Sequence, residues 1–416
     1  MEYGCIGEKL PHSYSKEIHE KIGAYKYELK ELSPLELGAF MEEKEFKAVN
    51  VTIPYKRAVI PYLYKTDPAA QKIGAVNTVV NRNGKLFGYN TDYYGMKALF
   101  ARENMEFRGK KVMILGTGGT SRTAHAVVKD LGAAQTVTVS RKARENTVTY
   151  EEAVTMHNDA HAIVNTTPVG MFPNVFDAPV SLETFGKLEY VADAIYNPHQ
   201  TRLVQAALKK GIKAQTGLYM LVAQAVRAYE IFMDTDAGDI TERIYKEILA
   251  SKLNIVLTGM PGCGKSTVGK LLAEKLKRPF YDTDDLIRDA AGCEISEIFS
   301  EKGEPYFRSL ETDAIRSLSA NAGCVIATGG GAVLKPENVD LLKMNGRLYF
   351  LDRPPELLIP TADRPLALTA DAVFARYRER YEIYKNTADD TVPGGASPGE
   401  VAAEIERRHY YESAGR

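Results

Sequence analysis

The chain has 416 residues, long for a single core at a usual domain size of ~150 residues. It is 44% hydrophobic and 26% charged, and Lys+Arg 53 against Asp+Glu 54 leaves a formal net charge of -1. This composition excludes general disorder, and without a global field to recruit nucleic acid or a membrane surface, any anion site is local.

The opening MEYGCIGEKLPHS has no basic flank and apolar stretch of a signal peptide, and nowhere do eighteen apolar residues run together; a cytoplasmic location is expected. Cys5, Cys263, Cys293 and Cys324 are scattered and lack metal-ligand spacing, so neither zinc nor a disulfide framework is expected. Within residues 1–100, Lys47–Ile53 and Ala75–Asn81 read as strands. The first leads directly to Lys56; the stretch GYNTD then places Asp92 at a turn. A lysine held by an aspartate is a proton relay suited to carbonyl reduction, although either residue alone is more often surface charge.

A strand at Val112–Leu115 then meets Gly116-Thr-Gly118-Gly119-Thr120, where the periodicity switches towards 3.6. The next strand, Thr136–Val139, ends in Ser140-Arg141-Lys142-Ala143-Arg144. Cations replace the acidic residue that accepts a ribose hydroxyl in NAD sites, which favours NADP(H). Residues 239–252 read as an amphipathic helix running almost directly into a strand at Ile255–Leu257, with the join near Ser251.

That second strand opens Gly259-Met-Pro-Gly262-Cys263-Gly264-Lys265-Ser266, a GxxxxGKS loop. Glycines let consecutive N–H groups point inward at an anion, Lys265 reaches the β/γ-phosphates of a nucleoside triphosphate, and Ser266 suits Mg²⁺. Asp282-Thr-Asp284-Asp285 follows a strand at Pro279–Tyr281; one carboxylate can hold Mg²⁺ through water while another accepts a substrate hydroxyl. Arg308, in a helical stretch, offers a guanidinium to an anionic substrate, and Gly329-Gly330-Gly331 after Cys324–Ala327 permits close ligand approach. PGGASPGE at 393–400 reads as a loop.

Residues 253–416 resemble shikimate kinase, on the P-loop, Asp282-Thr-Asp284, Ile295-Ser-Glu-Ile-Phe299, Gly303-Glu-Pro-Tyr-Phe-Arg308-Ser-Leu-Glu311, the triple glycine, Arg364-Pro-Leu366 and Arg380-Tyr-Glu-Ile-Tyr384. The resemblance implies that Arg308 and Arg380 hold the shikimate carboxylate, Asp284 takes its hydroxyls, and Gly330 lines its cleft. It further implies ATP on Gly262–Thr267 (Gly262, Cys263, Gly264, Lys265, Ser266 and Thr267), Arg364 closing over the phosphates, and Mg²⁺ at Ser266 and, through water, Asp282. The stretch before Arg364 carries fewer basic residues than the family's lid often does. Gluconate kinases share the P-loop scaffold but lack the paired arginine motifs.

Residues 1–250 resemble shikimate dehydrogenase, on His12-Ser13-Tyr-Ser15, NVTIPYK, Gly74-Ala-Val-Asn77-Thr78, GYNTD, the first glycine turn, Ser140-Arg141, Asn165-Thr-Thr-Pro-Val-Gly-Met171, Asp193-Ala-Ile-Tyr196 and Gly217-Leu-Tyr-Met220. By that resemblance Ser13 and Ser15 bind the substrate carboxylate, and Thr52, Asn77, Asp92 and Gln224 hold ring hydroxyls. Lys56 and Asp92 are the catalytic pair, and Tyr196 packs near the substrate. Gly116, Gly118, Gly119, Thr120, Ser140, Arg141, Arg144, Thr166 and Gly217 meet NADP(H). Lys16 stands where the family usually has proline, and Glu20 where it has asparagine.

The expected architecture is α/β throughout: a substrate domain over 1–100, a Rossmann-type NADP domain over 101–251, and a P-loop domain like the nucleoside-monophosphate kinases over 252–416. The implied partners are the small molecules 3-dehydroshikimate and shikimate, with no nucleic acid and no membrane; nothing fixes an oligomeric state. A quinate/shikimate dehydrogenase of broader scope, or a binding protein with decayed sites, stands as the alternative. The second would need the loss of Lys56, Asp92, Lys265 or Asp284, and all four are present.

Overall fold

The computed structural model describes residues 1–10, 14–142, 145–358 and 370–410. Ser13, Arg144 and Arg364, expected to meet ligands, lie outside the described residues. The chain divides into two compact units, Met1–Tyr245 and Lys246–Arg416, and the Thr241–Lys252 helix runs from one into the other. No helix among the described residues is long and apolar enough to cross a membrane.

The first unit holds two sheets. The N-terminal one comprises β1 (Tyr3–Gly7), β2 (Glu28–Glu31), β3 (Ala48–Val51), β4 (Lys65–Thr66), β5 (Thr78–Arg82) and β6 (Lys85–Tyr89), in the order β2-β1-β3-β5-β6-β4. Its β5–β6 hairpin closes on Asn83 and Gly84, both at positive φ (53° and 80°), as a tight two-residue turn demands. Strand β3 is shorter than the expected Lys47–Ile53. Tyr55 N–H donates to Thr52 O at 2.9 Å, so the chain turns out of the sheet before Lys56.

The second sheet is wholly parallel: β7 (Lys111–Leu115), β8 (Gln135–Val139), β9 (Ala162–Asn165), β10 (Tyr190–Asp193) and β11 (Lys213–Gln215), in the order β11-β10-β9-β7-β8. The apolar run of β7 serves both faces. Val112 and Ile114 pack with Leu99, Phe100 and Val127, whereas Met113 and Leu115 pack with Ile163, Leu203 and Ala207. The strand order reverses between β8 and β9 around β7, so the loops leaving β7 and β9 diverge and open a crevice at the strands' C-terminal ends.

The second unit carries another parallel sheet: β12 (Asn254–Thr258), β13 (Phe280–Asp282), β14 (Val325–Ala327), β15 (Gly346–Asp352) and β16 (Asp390–Pro393), in the order β13-β14-β12-β15-β16. The central β12 feeds the P-loop, and its core joins Ile255 and Leu257 to Leu272, Tyr349, Tyr384 and Ile405. Residues 393–400 are not wholly loop. A helix opens at Pro398, because Ser397 and Glu400 form a reciprocal cap: Ser397 N–H donates to Glu400 Oε2 at 3.0 Å and Glu400 N–H to Ser397 Oγ at 3.4 Å.

Candidate active sites

In the first unit, the turn after β3 presents Lys56, whose Nζ donates to Asp92 Oδ2 at 2.6 Å. Asp92 stands in the first turn of the Thr91–Arg102 helix rather than at a free turn, and Asn90 caps that helix by accepting from Tyr93 N–H at 3.2 Å. The positive end of the helix dipole favours the ionised carboxylate there. Both side chains keep some exposure, 25% and 18%, so a ligand can reach them.

Beneath this pair lies a buried polar network. Asn77 Oδ1 accepts from Thr91 N–H at 2.7 Å, Asn77 Nδ2 donates to Thr91 Oγ1 at 3.0 Å, and Thr91 Oγ1 donates to Gln224 Oε1 at 3.3 Å. Thr91 therefore ties the loop before β5, the Thr91–Arg102 helix and the Leu218–Met233 helix into one arrangement. Tyr196 packs its ring 5.1 Å from that of Tyr14, next to Ser15 at the start of the Ser15–Ile22 helix. Buried Cys5 on β1 lies within electrostatic range of Lys56 and of Tyr196; burial pushes its thiol up to about 12, so it stays neutral.

The crevice of the parallel sheet is a cleft of ≈ 960 Å³ lined by Gly116 and Gly118 after β7, Ser140, Arg141 and Lys142 after β8, and Thr166 to Val169 after β9. Gly116 has φ +107°, which a side chain would strain, and a Cβ on Gly118 or Gly119 would meet nothing within 4 Å. The turn thus faces open space at the N-terminus of the Gly119–Asp130 helix, which has no side-chain cap. That cradle of N–H donors, with Arg141 and Lys142 at the β8 end, fits a dinucleotide with an extra phosphate. Thr166 Oγ1 donates to Leu115 O at 2.6 Å and braces the turn. Gly119, Thr120 and Gly217 are not among the residues lining the cleft. Gly217 instead packs on β10's exit, where a Cβ would come within 2.2 Å of Ala194 O.

In the second unit, Gly259, Gly262 and Gly264 adopt φ of +141°, +81° and +96°, conformations that explain the glycine spacing of the P-loop. Lys265 Nζ lies back across the loop, donating to Gly259 O at 2.8 Å and Met260 O at 3.0 Å. Ser266 Oγ donates to Asp282 Oδ2 at 2.6 Å, so a hydroxyl and a carboxylate converge beside the phosphate loop. Hard oxygen donors of this kind fit Mg²⁺.

Across the cleft, Arg308 Nη1 donates to Glu311 Oε2 at 2.8 Å and Nη2 to Glu304 Oε1 at 2.9 Å. Glu311 is buried, which raises its carboxyl pKa despite the Arg308 guanidinium beside it, and its Oε1 has no partner. Asp284 Oδ1 and Glu311 Oε1 crowd Gly329, where a Cβ would approach them to 2.7 and 2.8 Å. Arg380 Nη1 donates to Gly330 O at 3.3 Å, and the Tyr384 hydroxyl donates to the same carbonyl. The resulting cleft of ≈ 570 Å³ is lined by Gly262, Gly264, Lys265, Ser266, Thr267, Asp282, Asp284, Arg308, Gly330 and Arg380. Cys263 is buried beneath it, 3% exposed, with Sγ 3.7 Å from Lys265 Nζ.

Comparison with known proteins agrees with both halves. Residues 5–79 match the shikimate dehydrogenase substrate binding domain, and residues 261–409 match shikimate kinase. The shikimate dehydrogenase (NADP(+)) of Clostridium beijerinckii is 38% identical over 58% of this chain and 96% of its own. The chain belongs to the shikimate dehydrogenase family, with a shikimate kinase domain following in the same polypeptide. Among solved structures, shikimate dehydrogenase 1 from Peptoclostridium difficile is similar at 37% identity and TM-score 0.54, covering 60% of this chain and 98% of its own. The Thermus thermophilus shikimate 5-dehydrogenase in complex with NADP(H) and shikimate is similar at 29% identity and TM-score 0.52, covering 59% and 98%.

In the dehydrogenase part, direct contacts join Lys56 to Asp92 and, separately, Asn77 to Gln224 through Thr91; Thr52, Ser15 and Tyr196 stand on neighbouring elements. Thr91 and Tyr150, the latter lining the dinucleotide cleft, were not singled out from sequence. The kinase part gathers its described candidates around one cleft, and adds Arg376 and Glu311 to its lining. Glu311 belongs to a motif already noted, whereas Arg376 carries no motif signal at all.

Proposed function

We infer that this chain is a bifunctional shikimate-pathway enzyme that reduces 3-dehydroshikimate to shikimate with NADPH and phosphorylates shikimate to shikimate 3-phosphate with ATP. The observation that carries the reading is chemical complementarity within one polypeptide. One unit pairs Lys56 with Asp92 at 2.6 Å, the two residues that the resemblance assigns to catalysis, and the other lines a single cleft with a P-loop, Asp284 and the arginines Arg308 and Arg380. The product of the first reaction is the acceptor of the second.

When bound, NADPH supplies a hydride and Mg·ATP supplies the phosphoryl group. Lys56 donates a proton to the carbonyl oxygen as it gains negative charge, while Asp92 keeps the ammonium oriented. Asn77, Gln224 and Thr52 orient ring hydroxyls, Ser13 and Ser15 take the carboxylate, and Tyr196 flanks the ring. Arg141, Arg144 and Ser140 receive the 2′-phosphate end of the cofactor, and Gly116, Gly118 and Thr166 shape the path of its diphosphate. In the kinase unit, Arg308 and Arg380 hold the acceptor's carboxylate beside Gly330, and Asp284 positions its reactive hydroxyl. Lys265 and Arg364 offset charge on the moving phosphoryl group, and Ser266 with Asp282 holds the metal. Both reactions use small water-soluble substrates, which suits a cytoplasmic enzyme.

The test is direct: supply 3-dehydroshikimate, NADPH and MgATP, and follow NADPH oxidation together with shikimate 3-phosphate. Oxidation without the phosphorylated product, even when shikimate itself is added, would remove the kinase half of the reading.

A further inference from the structure

The helix Ala370–Thr387 presents two side-chain stripes at helical spacing. Tyr377 and Tyr381 lie on one, and their hydroxyls donate to Asp352 Oδ1 at 2.9 Å and Oδ2 at 3.2 Å. Those two bonds fix the rotation of the helix about its axis. The other stripe, at positions i, i+4 and i+8, is Arg376, Arg380 and Tyr384. Arg380 and Tyr384 both donate to Gly330 O, so this stripe faces the triple-glycine turn, and Arg376 lines the same cleft one turn further along.

The arginines of this corner differ in how they are satisfied. Arg308 is satisfied by two carboxylates, Glu304 and Glu311. Arg380 is 8% exposed, donates to a carbonyl, and leaves its buried Nε without a partner. Arg376 has no hydrogen bond or ion pair among the described residues; desolvation and Arg380 work against its charge, while Glu379 and Glu304 favour it from a distance. Like charges one helical turn apart repel, and more strongly where water is excluded. Two guanidiniums on one stripe line this cavity, and neither is hydrogen-bonded to a carboxylate among the described residues, which suits them to an anionic ligand.

We propose that Arg376 is a specificity-determining residue of the kinase, gripping the carboxylate of the acceptor alongside Arg380 and Arg308. This rests on the reading of the cleft as a shikimate site. The acceptor's carboxylate is assigned in preference to the nucleotide's phosphates because Arg376 is electrostatically coupled to Arg380 and Glu304, the neighbours of Gly330 and Arg308. Lys265, which attends the phosphates, is bonded within the P-loop.

The experiment is steady-state kinetics of the full chain with Arg376→Gln and Arg376→Lys, varying shikimate and ATP separately. Arg376→Gln is expected to raise KM for shikimate at least tenfold while KM for ATP and kcat stay within about twofold, and Arg376→Lys to recover part of the loss. A second acceptor, the carboxamide of shikimate, separates contact with the carboxylate from a general effect: wild type and Arg376→Gln should phosphorylate it equally. A rise in KM for ATP instead, or an equal loss on both acceptors, would overturn the assignment. Failure of the underlying reading is distinguishable, since wild type would then transfer no phosphate to shikimate.

Discussion

Lys56 Nζ and Asp92 Oδ2 stand 2.6 Å apart, joining the turn after β3 to the first turn of a helix that begins 35 residues later, at Thr91. A proton donor held this way keeps its direction without help from the ligand. Lys56→Ala is therefore expected to lower NADPH oxidation by ~10²–10⁴-fold, the usual worth of a positioned general acid. ATP-dependent phosphorylation of added shikimate should be unchanged. Lys265→Ala should do the reverse. If either substitution removed both activities in a folded protein, the two sites would not be independent.

A second prediction concerns Gly329. A Cβ there would fall 2.7 Å from Asp284 Oδ1 and 2.8 Å from Glu311 Oε1, both at the ends of side chains that can move aside. Gly329→Ala should thus fold, because no backbone atom blocks it, yet it displaces the carboxylate that positions the acceptor. Misplacement by about 1 Å costs ~10² in rate. The expected result is a kinase kcat lowered by about that factor, with the dehydrogenase rate as an internal control. Wild-type phosphorylation by Gly329→Ala would show that Asp284 is not held against this turn during catalysis.

These residues also show where sequence reading succeeds. Gly259, Gly262 and Gly264 were legible as a P-loop because each occupies a left-handed conformation that only glycine adopts freely, so backbone geometry is written into residue identity. Strand β7 was legible because both its faces are buried, leaving an unbroken apolar run. Thr91 was not: a threonine has no distinguishing chemistry until its burial against Asn77 and Gln224 is known. Arg376 was hidden for a related reason, since a surface arginine and a cleft arginine look alike until two tyrosines fix the helix's rotation. The helix start at Pro398 is hard to read although Ser397-Pro-Gly-Glu400 spells its capping box, because proline and glycine are commoner in loops than in helices.

The Ser266–Asp282 pair yields a third expectation. At 2.6 Å the hydroxyl and carboxylate form a ready set of hard oxygens, and removing either weakens the site for a divalent cation more than for the nucleotide base. Ser266→Ala and Asp282→Asn should each shift the Mg²⁺ concentration for half-maximal kinase rate upward, by about tenfold. Raising Mg²⁺ should restore much of the loss. A loss of rate indifferent to Mg²⁺ concentration would assign the pair to loop structure alone.

Asp193 supplies a pH test in the dehydrogenase unit. It is fully buried at the end of β10, accepting from Asn165 Nδ2 and Ile195 N–H at 3.0 Å and from Thr201 Oγ1 at 2.8 Å. Burial outweighs these donors and raises its carboxyl from 3.8 to about 7. Between those values the folded protein keeps a proton that the unfolded chain releases. The stabilisation from this group is therefore complete below about pH 4 and is lost as pH rises to about 7, at no more than about 1.4 kcal/mol per pH unit. Buried His19 and His199, lowered to about 3 and about 4, act in the opposite direction: they lose stability as pH falls below 6.5. Comparing wild type with Asp193→Asn cancels the histidines, which both proteins share. Calorimetry from pH 4 to 8 should show the wild-type Tm falling relative to the variant up to about pH 7, with a constant difference above it. A difference that is flat from pH 4 to 7 would mean that Asp193 stays ionised in the folded protein, its three donors outweighing the cost of burial.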